Sequence, residues 1–199
     1  MPMNSNIRHQ NGMLMIEVLV TILIVSLGLL GIAAMFARSH LVSDEAYQRY
    51  QATEIAHQLS EQLTANQSEA SLRETSTYVT GLSAPMPGHG YTSIMCSPCT
   101  SAQLAVRDLS IFHDSLIGKQ KTKSGNNASA LLDARGCVEY LGPKLGDPID
   151  PEDPPRYRIS VVWQGRGLAG TTVNPTLCAN GIYSDARLRR VISLEVQIL

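Results

Sequence analysis

From Met13 to Ala37 the chain is an almost unbroken series of apolar or small side chains, interrupted near its start by a single ionisable group, Glu17. Roughly 25 residues in an α-helix rise ~37 Å, enough to cross a hydrocarbon core of ~30 Å with some tilt. The segment is therefore a membrane span by length. A carboxylate inside such a span costs ~2.5–3.5 kcal/mol on insertion scales, and no Lys, Arg or His lies within the run to offset it before Arg38. Its partner has to come from outside the run.

Two ordinary explanations account for part of this pattern. An uncleaved signal anchor tolerates one acid near its end, where the side chain reaches the headgroups. A secretory signal peptide also follows a basic region, but its apolar core is ~7–15 residues and ends in a small-residue cleavage site. Here the core is longer, and the small residue, Gly12, stands before it. Arg8 is the one Lys or Arg ahead of the span and Arg38 the first beyond it, so charge asymmetry does little to fix orientation.

Beyond the leader and the span remain roughly 160 residues, enough for one globular domain with its own core. The net charge of -1 and pI near 6.5 give no reason to expect nucleic acid or an anionic surface as partner. The four cysteines, Cys96, Cys99, Cys137 and Cys178, all follow the span. An even number in an exported domain points to disulfides, and four cysteines allow three pairings. The sequence leaves the choice open; we favour Cys137 with Cys178, leaving Cys96 with Cys99.

The span is expected to continue as an amphipathic helix. From Arg38 to about Ser68 there is no Pro or Gly, and Leu41, Ala52, Ile55, Ala56, Leu59 and Leu63 trace one face, with Asp44, Glu45, Arg49, Gln51, Gln58 and Glu61 on the remainder. The whole element is one helix of ~55 residues, about 80 Å long. Gly28 and Gly31 in its apolar half suit close approach of a neighbouring helix. The stretch Pro85-Met86-Pro87-Gly88-His89-Gly90 reads as a surface loop. Ala102, Ala105, Leu109, Phe112 and Leu116 predict a second, short helix with Thr100 or Ser101 as N-cap, followed by an exposed basic turn at Lys119 to Asn127. The period then changes to two. Cys137–Leu141, Tyr157–Gln164 and the final segment carrying Ile192, Leu194, Val196 and Ile198 read as half-buried strands of an antiparallel sheet, with a Pro- and Asp-rich loop from Gly142 to Pro155. The expected fold is α+β: a long N-terminal helix packed by its amphipathic half on a C-terminal antiparallel sheet, with the short helix between them. The boundaries are 1–12 leader, 13–37 span, 38–68 amphipathic half and 69–199 head.

Candidate chemistry in the head is sparse. Cys96-Ser-Pro-Cys99 has the form of a redox motif, but a thioredoxin-like site needs a βαβ context that is absent here. Zinc needs a second close ligand pair, which Cys137 and Cys178 do not form. Asp108, His113 and Asp114, or Asp185 with Arg187, are the acid-base sets that can be assembled, and His89 is a loop histidine. Without a nucleophile motif or phosphate loop we expect no enzyme, no cofactor and no metal.

The N-terminal residues carry the resemblance. Gly12, the apolar Met13, Glu17 five residues after the glycine, and the long span together resemble the class III signal of type IV prepilins. In the head, the Cys96/Cys99 pair, Arg107-Asp108-Leu109, Gly136-Cys137, Tyr157-Arg-Ile-Ser-Val-Val-Trp163, and Cys178 ahead of a last strand after Arg189-Arg190 resemble the PilV-like minor pilins, also called type IV pilus modification proteins. The chain departs from the usual signal in having Met13 where Phe is commoner and Met15 where Thr is common; both keep the helix apolar. The resemblance implies cleavage between Gly12 and Met13 by a prepilin peptidase, methylation of the new Met13 amine, and pairing of that amine with Glu17 in assembly. It implies an inner-membrane protein with a cytoplasmic N-terminus and a periplasmic head that passes into the pilus, and as partners the peptidase, the assembly platform, other minor pilins and the major pilin. A minor pseudopilin of a type II secretion system is the alternative; a membrane-anchored periplasmic thiol oxidoreductase is a more distant one. About 12 residues before the span leave little room for a sensor's cytoplasmic part.

Overall fold

The computed structural model describes residues 15–83, 85–92, 96–119, 131–150, 152, 154–167 and 176–198, and the backbone of 122–123 and 126–127. Gly12 and Met13 lie outside the described residues. The chain divides into two compact units, Met1–Asp44 and Glu45–Leu199.

Helix α1 runs Met15–Ala65. Every side chain from Met15 to Asp44 is exposed. Leu41, grouped above with the buried stripe, is among them, because it precedes the second unit. From Gln48 onward the helix buries Gln48, Gln51, Ala52, Ile55, Ala56, Leu59, Ser60 and Leu63, the stripe its periodicity predicts with Gln48, Ser60 and Gln51 added, the last expected on the polar side. The helix ends one residue before Asn66, whose backbone (φ -103°, ψ 56°) leaves the helical region. The Asn66 amide donates to the Ser101 carbonyl at 2.9 Å and to the Tyr78 hydroxyl at 3.3 Å. A single turn, α2 (Gln67–Ala70), follows.

Helix α3 (Ser101–Leu116) starts at Thr100, which caps it by a reciprocal box: the Gln103 N–H donates to the Thr100 hydroxyl, and the Thr100 N–H to the Gln103 side chain. This satisfies two otherwise orphaned donors. Ala105, Leu109, Phe112 and Leu116 are buried on its inner face. The basic turn after it contains a small hairpin, β1 (Thr122–Lys123) with β2 (Asn126–Asn127).

Strands β3 (Leu132–Leu141), β4 (Arg156–Gln164) and β5 (Arg189–Gln197) form one antiparallel sheet with β4 in the centre. β3 begins five residues before the expected Cys137. Its leading part, Asp-Ala-Arg-Gly, has turn-like composition, and the strand enters through an irregularity between Leu132 and Arg135 with Asp133 at φ 50°. Val138, Tyr157, Ile159, Val161 and Trp163 on one face join Ala52, Ile55, Ala56, Leu59 and Leu63 of α1 and the buried stripe of α3 in one core. Gly136 lies on this face against the Phe112 ring, and a Cβ there would overlap that ring. The close approach of α3 to the sheet therefore depends on a glycine in β3.

The other face is not simply solvated. Val162, expected to point outward, is fully buried because Met86, Cys137, Cys178, Ala179 and Tyr183 form a second, smaller core over it. Two loops make that cover. The 85–90 loop is pinned by the Gly136 N–H donating to the Pro87 carbonyl (2.8 Å) and the Gly88 N–H to His113 Nδ1 (2.9 Å). Gly88, at φ +95°, sits so close to the Ala134 carbonyl that no Cβ fits. The 176–183 segment is held by the Arg189 guanidinium donating to the carbonyls of Thr176 and Cys178. The Gly142–Pro155 loop is tied in the same way: Arg73 donates to the carbonyls of Pro143, Lys144 and Asp147, and Glu74 accepts from the Leu145 N–H.

Candidate functional site

The apolar half of α1 is the first candidate. Its most apolar 18-residue window has a mean hydropathy of 2.7 and buries nothing within the molecule. Leu30 and Met35 are 70% and 77% exposed. A contiguous apolar surface of this length has to be covered by lipid or by protein, and the helix is long and apolar enough to cross a membrane. Its few polar side chains are made compatible with such a setting by local bonds: Thr21 donates to the Val18 carbonyl (2.9 Å) and Ser26 to that of Ile22 (2.6 Å). Open space surrounds Gly28 and Gly31 within the molecule, so their lack of side chains serves no internal contact.

Glu17 lies in the first turn of α1. A carboxylate there is favoured by the positive end of the helix dipole, worth ~0.3–1 kcal/mol at an exposed position. That is too small to offset burial in lipid. Among the described residues Glu17 has no ion pair.

The second candidate is the set of cysteines. Cys137 and Cys178 are bonded, with Cα atoms 5.8 Å apart, and both are fully buried in the smaller core. Cys96 and Cys99 are bonded across three positions, 5.3 Å apart at Cα, half-buried just ahead of the α3 cap. This is the pairing favoured from the sequence. The chain-entropy account of a crosslink assigns about 4 kcal/mol to the longer loop and about 1.5 kcal/mol to the shorter.

The acid-base sets come apart. Asp108 is buried and accepts from the Tyr78 hydroxyl at 2.7 Å, with Arg107 at 3.7 Å. Burial raises its carboxyl above the usual range against the opposing effects of Tyr78 and Arg107. His113 turns the other way, toward Gly88 and, at 6.0 Å between ring centroids, Tyr91. Burial lowers its pKa, opposed by the nearby Asp114. Asp114 pairs with Lys119 at 3.4 Å. Asp185 caps a 3-10 turn through the Arg187 N–H and pairs with that residue's guanidinium at 2.8 Å. His89 is exposed, and its backbone bridges to Met86. Asp108, His113, Asp114 and Asp185 are each engaged in a structural contact. Among the described residues no three His, Cys, Asp or Glu side chains are placed to hold a metal ion.

Comparison with protein-family models, with curated proteins and with solved structures returned no match.

Two features escaped the sequence reading. Glu45, at the start of the second unit, accepts from Arg190 at 3.1 Å and Arg49 at 3.2 Å, while the Trp163 indole donates to Gln48 at 3.2 Å. Burial raises the Glu45 carboxyl, but the two arginines outweigh it and hold its pKa below the ordinary value. These contacts fix the register of α1 on β4 and β5. The other feature is a polar groove of about 530 Å³ along α1, lined by Gln51, Glu54, Gln58 and Glu61. Spacings of three, four and three place all four on one helix face, a signal present in the sequence and obscured by their ordinary polarity.

Proposed function

We propose that the chain is a non-enzymatic minor pilin, made as a prepilin, cut after Gly12 by a prepilin peptidase and incorporated into, or priming, a type IV pilus. The observation that carries this reading is Glu17: one acid in an otherwise apolar, wholly uncovered helical segment, five residues after a glycine. Cleavage at Gly12 would place a new amine at Met13, four residues and about one helical turn from Glu17. The cation missing from the run is then produced by processing. An ion pair inside lipid or a packed filament is hard to break, because removing one partner strands a buried charge at ~3–5 kcal/mol.

On this reading the apolar half of α1 is held in the inner membrane, with the N-terminus cytoplasmic and the head periplasmic, until it passes into the filament. The uncovered surface around Gly28 and Gly31 supports it, since it is available to a neighbouring helix. Two disulfides in the head are consistent with an oxidising compartment. Co-expression with the peptidase and the assembly machinery tests the pairing. Glu17→Ala should be cleaved normally and recovered from sheared pili at a tenth or less of the wild-type amount. Wild-type incorporation of that variant would refute the role given to Glu17.

A further inference from the structure

The 85–90 loop that covers the smaller core is tied down at two points of different chemistry. One is a backbone bond from the Gly136 N–H of β3 to the Pro87 carbonyl at 2.8 Å, which does not titrate. The other runs from the Gly88 N–H to Nδ1 of His113 on α3 at 2.9 Å. A backbone N–H can only donate, so Nδ1 must keep a free lone pair and the neutral ring must carry its proton on Nε2. Protonation makes both ring nitrogens donors and sets N–H against N–H. This tie therefore exists only while His113 is uncharged.

The surroundings of the ring favour the neutral form and leave it within reach of water. His113 is half-buried, and burial lowers its pKa, with Asp114 opposing and Lys119 assisting. The carboxylate that favours the imidazolium, Asp114, is shared with Lys119 at 3.4 Å. The Tyr91 ring lies 6.0 Å from the imidazole, and burial raises its phenol, which stays neutral. On β3, Arg135 beside Ala134 is paired with Asp133 at 2.7 Å, and His89 on the loop itself is exposed. What the tie covers is apolar: Met86, on the same loop, is fully buried in one cluster with Cys137, Val162 and Cys178.

We infer that His113 is a pH-operated latch: neutral, its Nδ1 holds the 85–90 loop over the smaller core; protonated in acid, it releases the loop and uncovers Met86 and the Cys137–Cys178 crosslink. The closed loop binds a proton on His113 less readily than the open one. Closure is therefore fully favoured above the ordinary histidine value, ~6.5, and weakens as pH falls below it. One pH unit below that value the ratio of open to closed loop rises by at most about tenfold. The latch lies in the head and is independent of the filament reading.

The test uses the full chain in detergent micelles, labelled with 15N at glycine and histidine and followed by NMR between pH 7.5 and pH 5.5. At pH 7.5 the His113 ring nitrogens should report the Nε2–H tautomer. Hydrogen exchange at the Gly88 amide, corrected for the intrinsic pH dependence of exchange, should lose protection severalfold by pH 5.5, with the midpoint of the loss on the His113 ring titration. His113→Asn offers a carboxamide oxygen where Nδ1 stood and cannot titrate, so its Gly88 protection should be the same at both pH values. An Nδ1–H tautomer at pH 7.5, unchanged protection in acid, or an equal loss in wild type and His113→Asn overturns the proposal. Should the asparagine fail to hold the loop at either pH, the wild-type chain still decides: a midpoint of lost protection away from the His113 titration overturns it, and a coincident one supports it.

Discussion

Helix α1 meets two different surroundings along one backbone. Between Met15 and Ala37 it is apolar but for Glu17, Thr21 and Ser26, and every side chain is exposed; between Gln48 and Leu63 only a stripe is buried, and that stripe carries the core of the head. Leu30 and Leu59 are the same residue in the same secondary structure, 70% and 0% exposed. The comparison separates what a helix is from what it is for. Side-chain hydrophobicity in the second half contributes to folding through contact with α3 and the sheet, while in the first half it is deferred to an external partner, lipid or filament on the proposed reading.

The largest effects on head stability should come from its closure. Cys137→Ser with Cys178→Ser removes the crosslink and opens the smaller core, and should cost about 4 kcal/mol or more; Cys96→Ser with Cys99→Ser should cost about 1.5 kcal/mol. Thermal or denaturant unfolding in micelles measures both, and equal losses would break the distinction between a core crosslink and a local one. Next come the two leucines. Leu59→Ala should destabilise the head by roughly 3 kcal/mol, within the range for buried Leu truncations, whereas Leu30→Ala should leave head unfolding unchanged. A matching loss from Leu30→Ala would contradict the division of labour along α1.

The smallest effect is a pH dependence. The Asp108 carboxyl has a raised folded pKa, so its favourable contribution is fully present below the unfolded value, ~3.9, and is lost as pH rises through the folded value. Asp108→Asn keeps an acceptor for Tyr78 without the charge. The melting temperature of the variant relative to wild type should rise between pH 4 and pH 7; a falling difference would reverse the sign assigned to burial.

Much of the fold was legible because its signals are local or strictly periodic. The run without Pro or Gly, the Thr100 cap, and the alternation through Tyr157 to Trp163 all state their structure within a few residues. The smaller core was not legible. Val162, Met86 and Ala179 come together through loops pinned by Gly88 and Arg189, whose hydrogen bonds go to a histidine ring for Gly88 and to backbone carbonyls for Arg189. Composition marks such segments as loops without saying what they cover. The Glu45–Arg190 pair, 145 positions apart, is hidden for the same reason. Of the candidate site, Glu17 was legible as an anomaly of charge in an apolar run; the groove was not, because Gln51 looks polar and is nevertheless buried.

The proposed reading turns on how the N-terminus is made. The chain should be expressed with and without a prepilin peptidase and the N-terminal peptide weighed. With the peptidase, the account predicts a chain beginning at Met13 and bearing one N-methyl group, so that an amine stands one turn from Glu17; without it, the leader through Gly12 remains. An intact leader in both preparations would contradict the account, leaving the acid in the span without the partner that processing was to supply.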